Sequence, residues 1–174
     1  MKNILKFLTV LTILFSFTFT SCDDDLLDVN FDTTVKATIA VRVEQGQETL
    51  NENVVLSLDN NDTNSYLNNI NDVRIKKLTY KITSFIGDPD GSIDGTLMAD
   101  NIVLDTKNFN VKDAYDAVTI FEVTNVNALN SAANLLRSNQ EVTVSISGNS
   151  TSLNDSMDFT VEVTAVLGIT ANPL

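Results

Sequence analysis

Apolar and polar residues alternate along much of this chain with the two-residue period that is typical of β-strands. The clearest run lies near the end of the sequence, where polar residues such as Asp158, Thr160 and Glu162 separate seven apolar ones: Met157, Phe159, Val161, Val163, Ala165, Leu167 and Ile169. A second run begins at Thr34 and places five apolar side chains on one face: Val35, Ala37, Ile39, Val41 and Val43. Each pattern predicts a strand with one buried and one solvated face.

Shorter segments continue the strand pattern between these two runs. We expect strands at Asn53–Leu58, Val73–Ile86, Thr96–Leu104, Ala117–Val123 and Glu141–Ser147, the third forming a hairpin with the second. The apolar positions of the second segment change from odd to even numbers across Lys76 and Lys77, which indicates a β-bulge or a bend. One helix is predicted at Asn125–Arg137, since apolar residues recur there at helical spacing.

Seven or eight strands with one inserted helix predict an all-β fold, because strands and helices do not alternate. We expect residues 34–174 to form a single antiparallel β-sandwich, either immunoglobulin-like or jelly-roll-like. The alternative is that the strands close into a β-barrel.

The first 21 residues have a different character from the rest of the chain. Lys2 and Lys6 precede an apolar run from Phe7 to Phe19, and small residues then lead to Cys22, which is the layout of a secretory signal peptide. The apolar run is shorter than the roughly 20 residues that a membrane-spanning helix requires. The sequence therefore predicts a signal peptide at residues 1–21.

The segment Phe19-Thr20-Ser21-Cys22 resembles the lipobox of bacterial lipoproteins. The resemblance implies that Cys22 is lipidated, that residues 1–21 are removed, and that residues 22–33 form a lipidated tether. Acyl chains on the cysteine would then hold the domain at a membrane. The next three residues resemble the acidic export signal of Bacteroidota lipoproteins: Asp23, Asp24 and Asp25. This implies the outer membrane and the cell surface; the alternatives are the periplasmic face and, for the triplet, a solvated tether.

Composition narrows the possible functions further. The chain has a net charge of −12, with all 23 carboxylates after Cys22, and such a surface disfavours nucleic acid. It contains no histidine and one cysteine, which removes the usual hydrolase triads and the common zinc ligands. We expect a non-enzymatic binding or scaffold module at a membrane, with an unknown protein or glycan as its partner. No cofactor is expected.

One loop has partial calcium-binding character. Asp90, Ser92 and Asp94 place oxygen atoms at positions 1, 3 and 5 of a motif that continues with Gly95, as in calcium loops. This motif lies in a turn-rich segment from Gly87 to Gly95. The alternative function is therefore a calcium-dependent adhesive or glycan-binding module, and the alternative interpretation of the residues is a plain turn.

Two further patterns, a cluster of cations and a repeated short motif, suggest a binding surface and glycosylation sites. Four cations lie within eight residues and could dock an anion or pair with carboxylates such as Glu44 and Glu162: Arg74, Lys76, Lys77 and Lys81. The segments Asp32-Thr33-Thr34 and Asp155-Ser156-Met157 resemble the O-glycosylation motif of Bacteroidota exported proteins. The resemblance implies glycans on Thr33 and Ser156.

Overall fold

Two four-stranded antiparallel sheets form the fold in the computed structural model, which describes residues 28–151 and 154–172. The strands are β1 (Val29–Val43), β2 (Thr49–Ser57), β3 (Ile70–Gly87), β4 (Ser92–Ala99), β5 (Ile102–Asn110), β6 (Ile120–Glu122), β7 (Glu141–Thr151) and β8 (Met157–Ala171). Sheet A has the order β1-β8-β3-β6, and sheet B has the order β2-β7-β4-β5. The predicted β-sandwich is confirmed, since the strands form two separate sheets and not one closed sheet.

Strand β8 is the centre of sheet A. It pairs with β1 from Met157 to Ala171 without a break, and it pairs with β3 over the same length. Its odd-numbered side chains are all buried in the core between the sheets, as the alternation predicts. Burying an aliphatic side chain of this size stabilises the fold by roughly 1.5–3 kcal/mol, so the pattern of β8 largely fixes its position.

The bulge predicted at Lys76 and Lys77 is present. The pairing of β3 with β8 shifts between Ile75 and Lys77, and two further shifts follow Ile70 and Ile82. The extra residue lets both Ile75 and Leu78 pack against the core although their numbers differ in parity.

The predicted single strand at Thr96–Leu104 is wrong. The chain turns at Asp100 and Asn101, so this segment contributes to both β4 and β5. Asp100 has a φ of 48°, a left-handed conformation that Asp tolerates in tight hairpin turns. Nor is the segment a hairpin partner of β3, because β4 pairs with β5 and β7 in sheet B.

Helices lie along one side of the sandwich. The predicted helix is α2 (Val126–Asn139), and the side chain of Asn125 caps it by accepting the Ala128 N–H at 3.2 Å. The shorter α1 (Val111–Asp116) precedes it, and Asn110 caps α1 in the same way. Because the turn that follows α1 occupies residues 117–119, the strand predicted at 117–123 is reduced to the three residues of β6.

The predicted signal peptide, Cys22 and Asp23–Asp25 lie outside the described residues. Strand β1 begins at Val29, so the end of the predicted tether is already part of sheet A. Within residues 28–151 and 154–172, neither helix is long and apolar enough to cross a membrane.

Candidate functional site

Three open depressions lie in a row along the outer face of β8, and we call them together the β8 groove. Their volumes are about 560, 220 and 190 Å³. The largest is at the Gly168–Thr170 end, the second is at Asp158–Thr160, and the smallest lies between them at Glu162 and Thr164. The groove runs along roughly 40 Å of strand, at about 3.3 Å per residue.

The groove follows from the position of β8 in its sheet. The outward residues of β8 are all partly buried, whereas those of β1 are all exposed, because β8 has a paired strand on each side and β1 has one on a single side. Most of the outward residues of β8 are also small, and they include Thr160, Thr164, Gly168 and Thr170. Longer side chains on the neighbouring strands therefore rise on both sides of a low floor.

Ion pairs line the groove. Six of the nine Lys and Arg residues after Cys22 lie on this face. Each has a carboxylate partner: Lys36 and Lys81 both at 3.4 Å from Glu162, Arg42 at 2.6 Å from Glu44, Arg74 at 2.8 Å from Asp72, Lys76 at 2.6 Å from Asp32, and Lys77 at 3.8 Å from Glu122. The cluster of cations noted in the sequence is thus paired with carboxylates, Glu162 among them. Glu44 pairs with Arg42 and not with this cluster.

The largest depression has an unusual floor at Gly168. The bulge in β3 turns the Lys76 side chain across β8, and its Nζ donates to both carboxylate oxygens of Asp32 on β1, at 2.6 and 2.8 Å. This crossing is possible because Gly168 lacks a side chain; a Cβ there would lie 2.9 Å from Lys76 Cε. The sequence pattern predicts the bulge and shows the cations, but nothing in it indicates that Asp32 lies beside them.

Hydrogen-bonding groups of both kinds surround this floor. The Thr170 hydroxyl donates to Asn30 Oδ1 at 2.6 Å, and the Arg74 side chain is 81% exposed beside Asp72. Donors and acceptors therefore alternate around an open space without any large excess of charge. Such an arrangement suits a ligand that carries many hydroxyl groups.

The residues of the calcium hypothesis do not converge on one point. Ser92 and Asp94 belong to β4, where they lie two residues apart on the outer face of an extended strand, so the turn-rich loop is shorter than predicted. Asp90 remains in that loop. Across residues 28–151 and 154–172, no three or more Asp, Glu, Cys or His side chains form a cluster that could hold a metal ion. Calcium binding at Asp90, Ser92 and Asp94 stays a prediction.

Asp88 is the residue in this loop that the sequence interpretation missed. It is only 3% exposed, and its carboxylate accepts backbone N–H groups from Asp90, at 2.9 Å, and from Asn154. These hydrogen bonds hold the pKa of Asp88 below its usual range. Asp88 therefore joins two loops, a structural role.

The two predicted glycosylation residues have different environments. Thr33 is 4% exposed, and its hydroxyl donates to Asp62 at 2.9 Å while it accepts from Asn60. The Thr33 hydroxyl is therefore buried in the folded domain, and its glycosylation stays a prediction. Ser156 is partly exposed at the start of β8, and its modification stays a prediction.

The chain aligns weakly with chains from three solved viral structures. It aligns with the crystallised decameric BFDV capsid protein with a TM-score of 0.47 and 8% identity, over 81% of this chain and 99% of that one. It aligns with desmodium yellow mottle tymovirus with a TM-score of 0.37 and 13% identity, over 82% of each chain. It aligns with the nodavirus of the giant freshwater prawn Macrobrachium rosenbergii with a TM-score of 0.36 and 11% identity, over 83% of this chain and 95% of that one. No family model and no curated protein matches the chain. We draw nothing about function from these similarities.

Proposed function

We propose that this chain is a lipid-anchored, surface-exposed binding module without enzymatic activity, and that its ligand is a glycan lying along the β8 groove. The observation that carries the proposal is the row of three open depressions on one sheet face, each lined in part by charged or hydroxyl side chains. An extended polymer fits a row of depressions better than a single small molecule, which would occupy one enclosed pocket.

The chemistry of the groove favours a glycan over a protein partner. Protein interfaces have an apolar centre that is enriched in aromatic residues. Along the β8 groove, the large side chains that are well exposed and apolar are Ile86 and Ile120, and both lie at its rim. Apart from Val166, its centre presents hydroxyl and charged groups such as Thr164 and Glu162, which can hydrogen-bond sugar hydroxyls.

The proposed anchor also orients the groove. Cys22 lies six residues before Asp28, so the tether reaches at most about 20 Å from the membrane at roughly 3.5 Å per residue. The end of the sandwich that carries Asn30 and Thr170 is then the one near the membrane. The largest depression lies at that same end.

The anchor is tested by metabolic labelling with a palmitate analogue. We expect the wild-type chain to carry label and to fractionate with membranes, and the Cys22→Ser variant to be unlabelled and soluble. An unlabelled wild-type chain, together with a Cys22→Ser variant that still fractionates with membranes, would overturn the anchor.

The ligand is tested by screening the chain from residue 22 onward, with Cys22→Ser, on a glycan array and measuring the best binder by calorimetry. Gly168→Val should weaken binding at least roughly tenfold, because the new side chain fills the floor of the groove. Thr96→Val is the matched control, since Thr96 lies on the outer face of sheet B. If no glycan binds, or if both variants bind equally well, the glycan proposal is wrong.

A further inference from the structure

Strand β1 has a long free edge. It is 15 residues long and pairs with β8 without a bulge. Among the described residues, its backbone hydrogen bonds go only to β8, so the other edge presents unpaired N–H and C=O groups. An exposed edge of this length is a template on which another strand can pair.

The other three sheet edges are protected. Strand β6 is only three residues long, and β5 is in contact with both helices. Strand β1 is in contact with β2, which follows it along the chain, but the two strands are not hydrogen-bonded to each other. On β2, Glu52 lies between Leu50 and Val54, and its side chain lines the same depression as Ala40 and Arg42 of β1. A charge on an edge strand discourages pairing. Strand β1 has no proline, no glycine and no inward-facing charge.

We propose that a second copy of this chain binds the free edge of β1, with the two β1 strands antiparallel and a two-fold axis at Thr34. This register places Asp32 opposite Lys36 of the second copy, and the symmetry repeats that pair. Thr34 faces its own counterpart, and Asn30 faces Thr38. Opposite charges and threonine pairs directly across two strands are both stabilising.

Neighbouring registers are less favourable. An axis at Lys36 would place that lysine opposite itself, and an axis at Ile39 would place Lys36 opposite Arg42. Like charges directly across a strand pair are destabilising. With the axis at Thr34, residues 40–42 of β1 have no partner strand in the second copy. The second copy therefore does not have to displace the Glu52 side chain, which lies beside Ala40 and Arg42.

The pairs within each copy extend the same charge pattern. Asp32 binds Lys76, and Lys36 binds Glu162, which also binds Lys81. In the proposed dimer these groups form an alternating row from one sheet A into the other. The two sheets become one continuous eight-stranded sheet, with both β8 grooves on the same surface.

A cysteine cross-link tests the register. In the chain from residue 22 onward with Cys22→Ser, the substitution Thr34→Cys supplies the only thiol. Directly opposed residues in antiparallel strands have Cα atoms about 4.5–5.5 Å apart, which a disulfide can bridge. We expect a disulfide-linked dimer under mild oxidation. The control Ala40→Cys lies on the same strand and face but far from its counterpart, and it should stay monomeric.

Sedimentation measures the association itself. We expect the chain with Cys22→Ser to dimerise at about 100 µM, and Thr34→Lys to weaken the dimer at least roughly tenfold because the two new charges face each other. Thr34 is exposed, so the melting temperature of the monomer should change little. Ala40→Lys is the control. A monomer at that concentration, a dimer unaffected by Thr34→Lys, or equal cross-linking by both cysteine variants would overturn the proposal.

Discussion

The substitution Gly148→Ala tests how closely two strands of sheet B approach each other. Gly148 on β7 lies opposite Gly95 on β4. A Cβ at Gly148 would lie 2.1 Å from the carbonyl oxygen of Asp94 and 2.9 Å from the Cα of Gly95. Both are backbone atoms in a paired strand, so neither can rotate away. To relieve the clash, β4 and β7 must separate locally by about 1 Å.

The cost follows from that separation. About two ladder hydrogen bonds would be lost, each contributing roughly 0.5–1.5 kcal/mol, and overpacking adds about 1–3 kcal/mol. Alanine recovers roughly 0.5–1 kcal/mol, since it loses less backbone entropy than glycine on folding. We expect Gly148→Ala to lower the free energy of unfolding by about 3 kcal/mol. The melting temperature should fall by roughly 10 °C for a domain of this size.

Urea denaturation of the chain with Cys22→Ser, at low protein concentration, measures this loss without a contribution from association. Gly46→Ala is the control: Gly46 has a φ of 75°, but a Cβ there would meet no atom within 4 Å. That control should cost only about 1 kcal/mol, from the left-handed backbone alone. Equal losses in the two variants would refute the argument from close approach.

Three further predictions concern strain and titration. Val118 lies in the turn two residues after α1, has a φ of 50° and is 63% exposed, so Val118→Gly should raise the free energy of unfolding by about 1 kcal/mol in urea denaturation. Burial and the hydrogen bond to Asp105, at 2.9 Å, raise the pKa of Tyr80. Near pH 10, only the unfolded chain then releases the proton of the Tyr80 hydroxyl. The free energy of unfolding should therefore fall above about pH 10, and it should fall less in the Tyr80→Phe variant. The pKa of Asp88 is lowered, so its carboxylate stabilises the fold at neutral pH, and this contribution is lost as the pH falls below about 4. Stability curves against pH for Asp88→Asn should show a smaller acid-induced loss than the wild type.

Each of these predictions has a clear contrary result. A less stable Val118→Gly variant would mean that the valine side chain contributes more to packing than its backbone costs. Identical alkaline profiles for Tyr80→Phe and the wild type would remove the titration of Tyr80 as a cause. If Asp88→Asn loses as much stability in acid as the wild type, the hydrogen bonds to its carboxylate do not lower the pKa as described.

The sequence by itself determined the strands whose burial is regular. The alternation in β8 and β1, the bulge at Lys76 and the helix capped by Asn125 could all be read locally, because each depends on neighbouring residues in the chain. The same local patterns did not predict the hairpin turn at Asp100, because the apolar segment around it has the pattern of a single strand. They also failed for α1, whose six residues are too few to show a helical period.

Only the tertiary structure decided which residues share a surface. Asp32 and Lys76 are 44 positions apart in sequence, and they meet because β8 lies between their strands and has a glycine at the crossing point. The same folding buries Thr33, which the sequence motif presents as accessible. The β8 groove and the free edge of β1 both depend on strand order, which arises from packing between distant segments. Alternation fixes which face of a strand is buried, but it does not fix which strand becomes its neighbour.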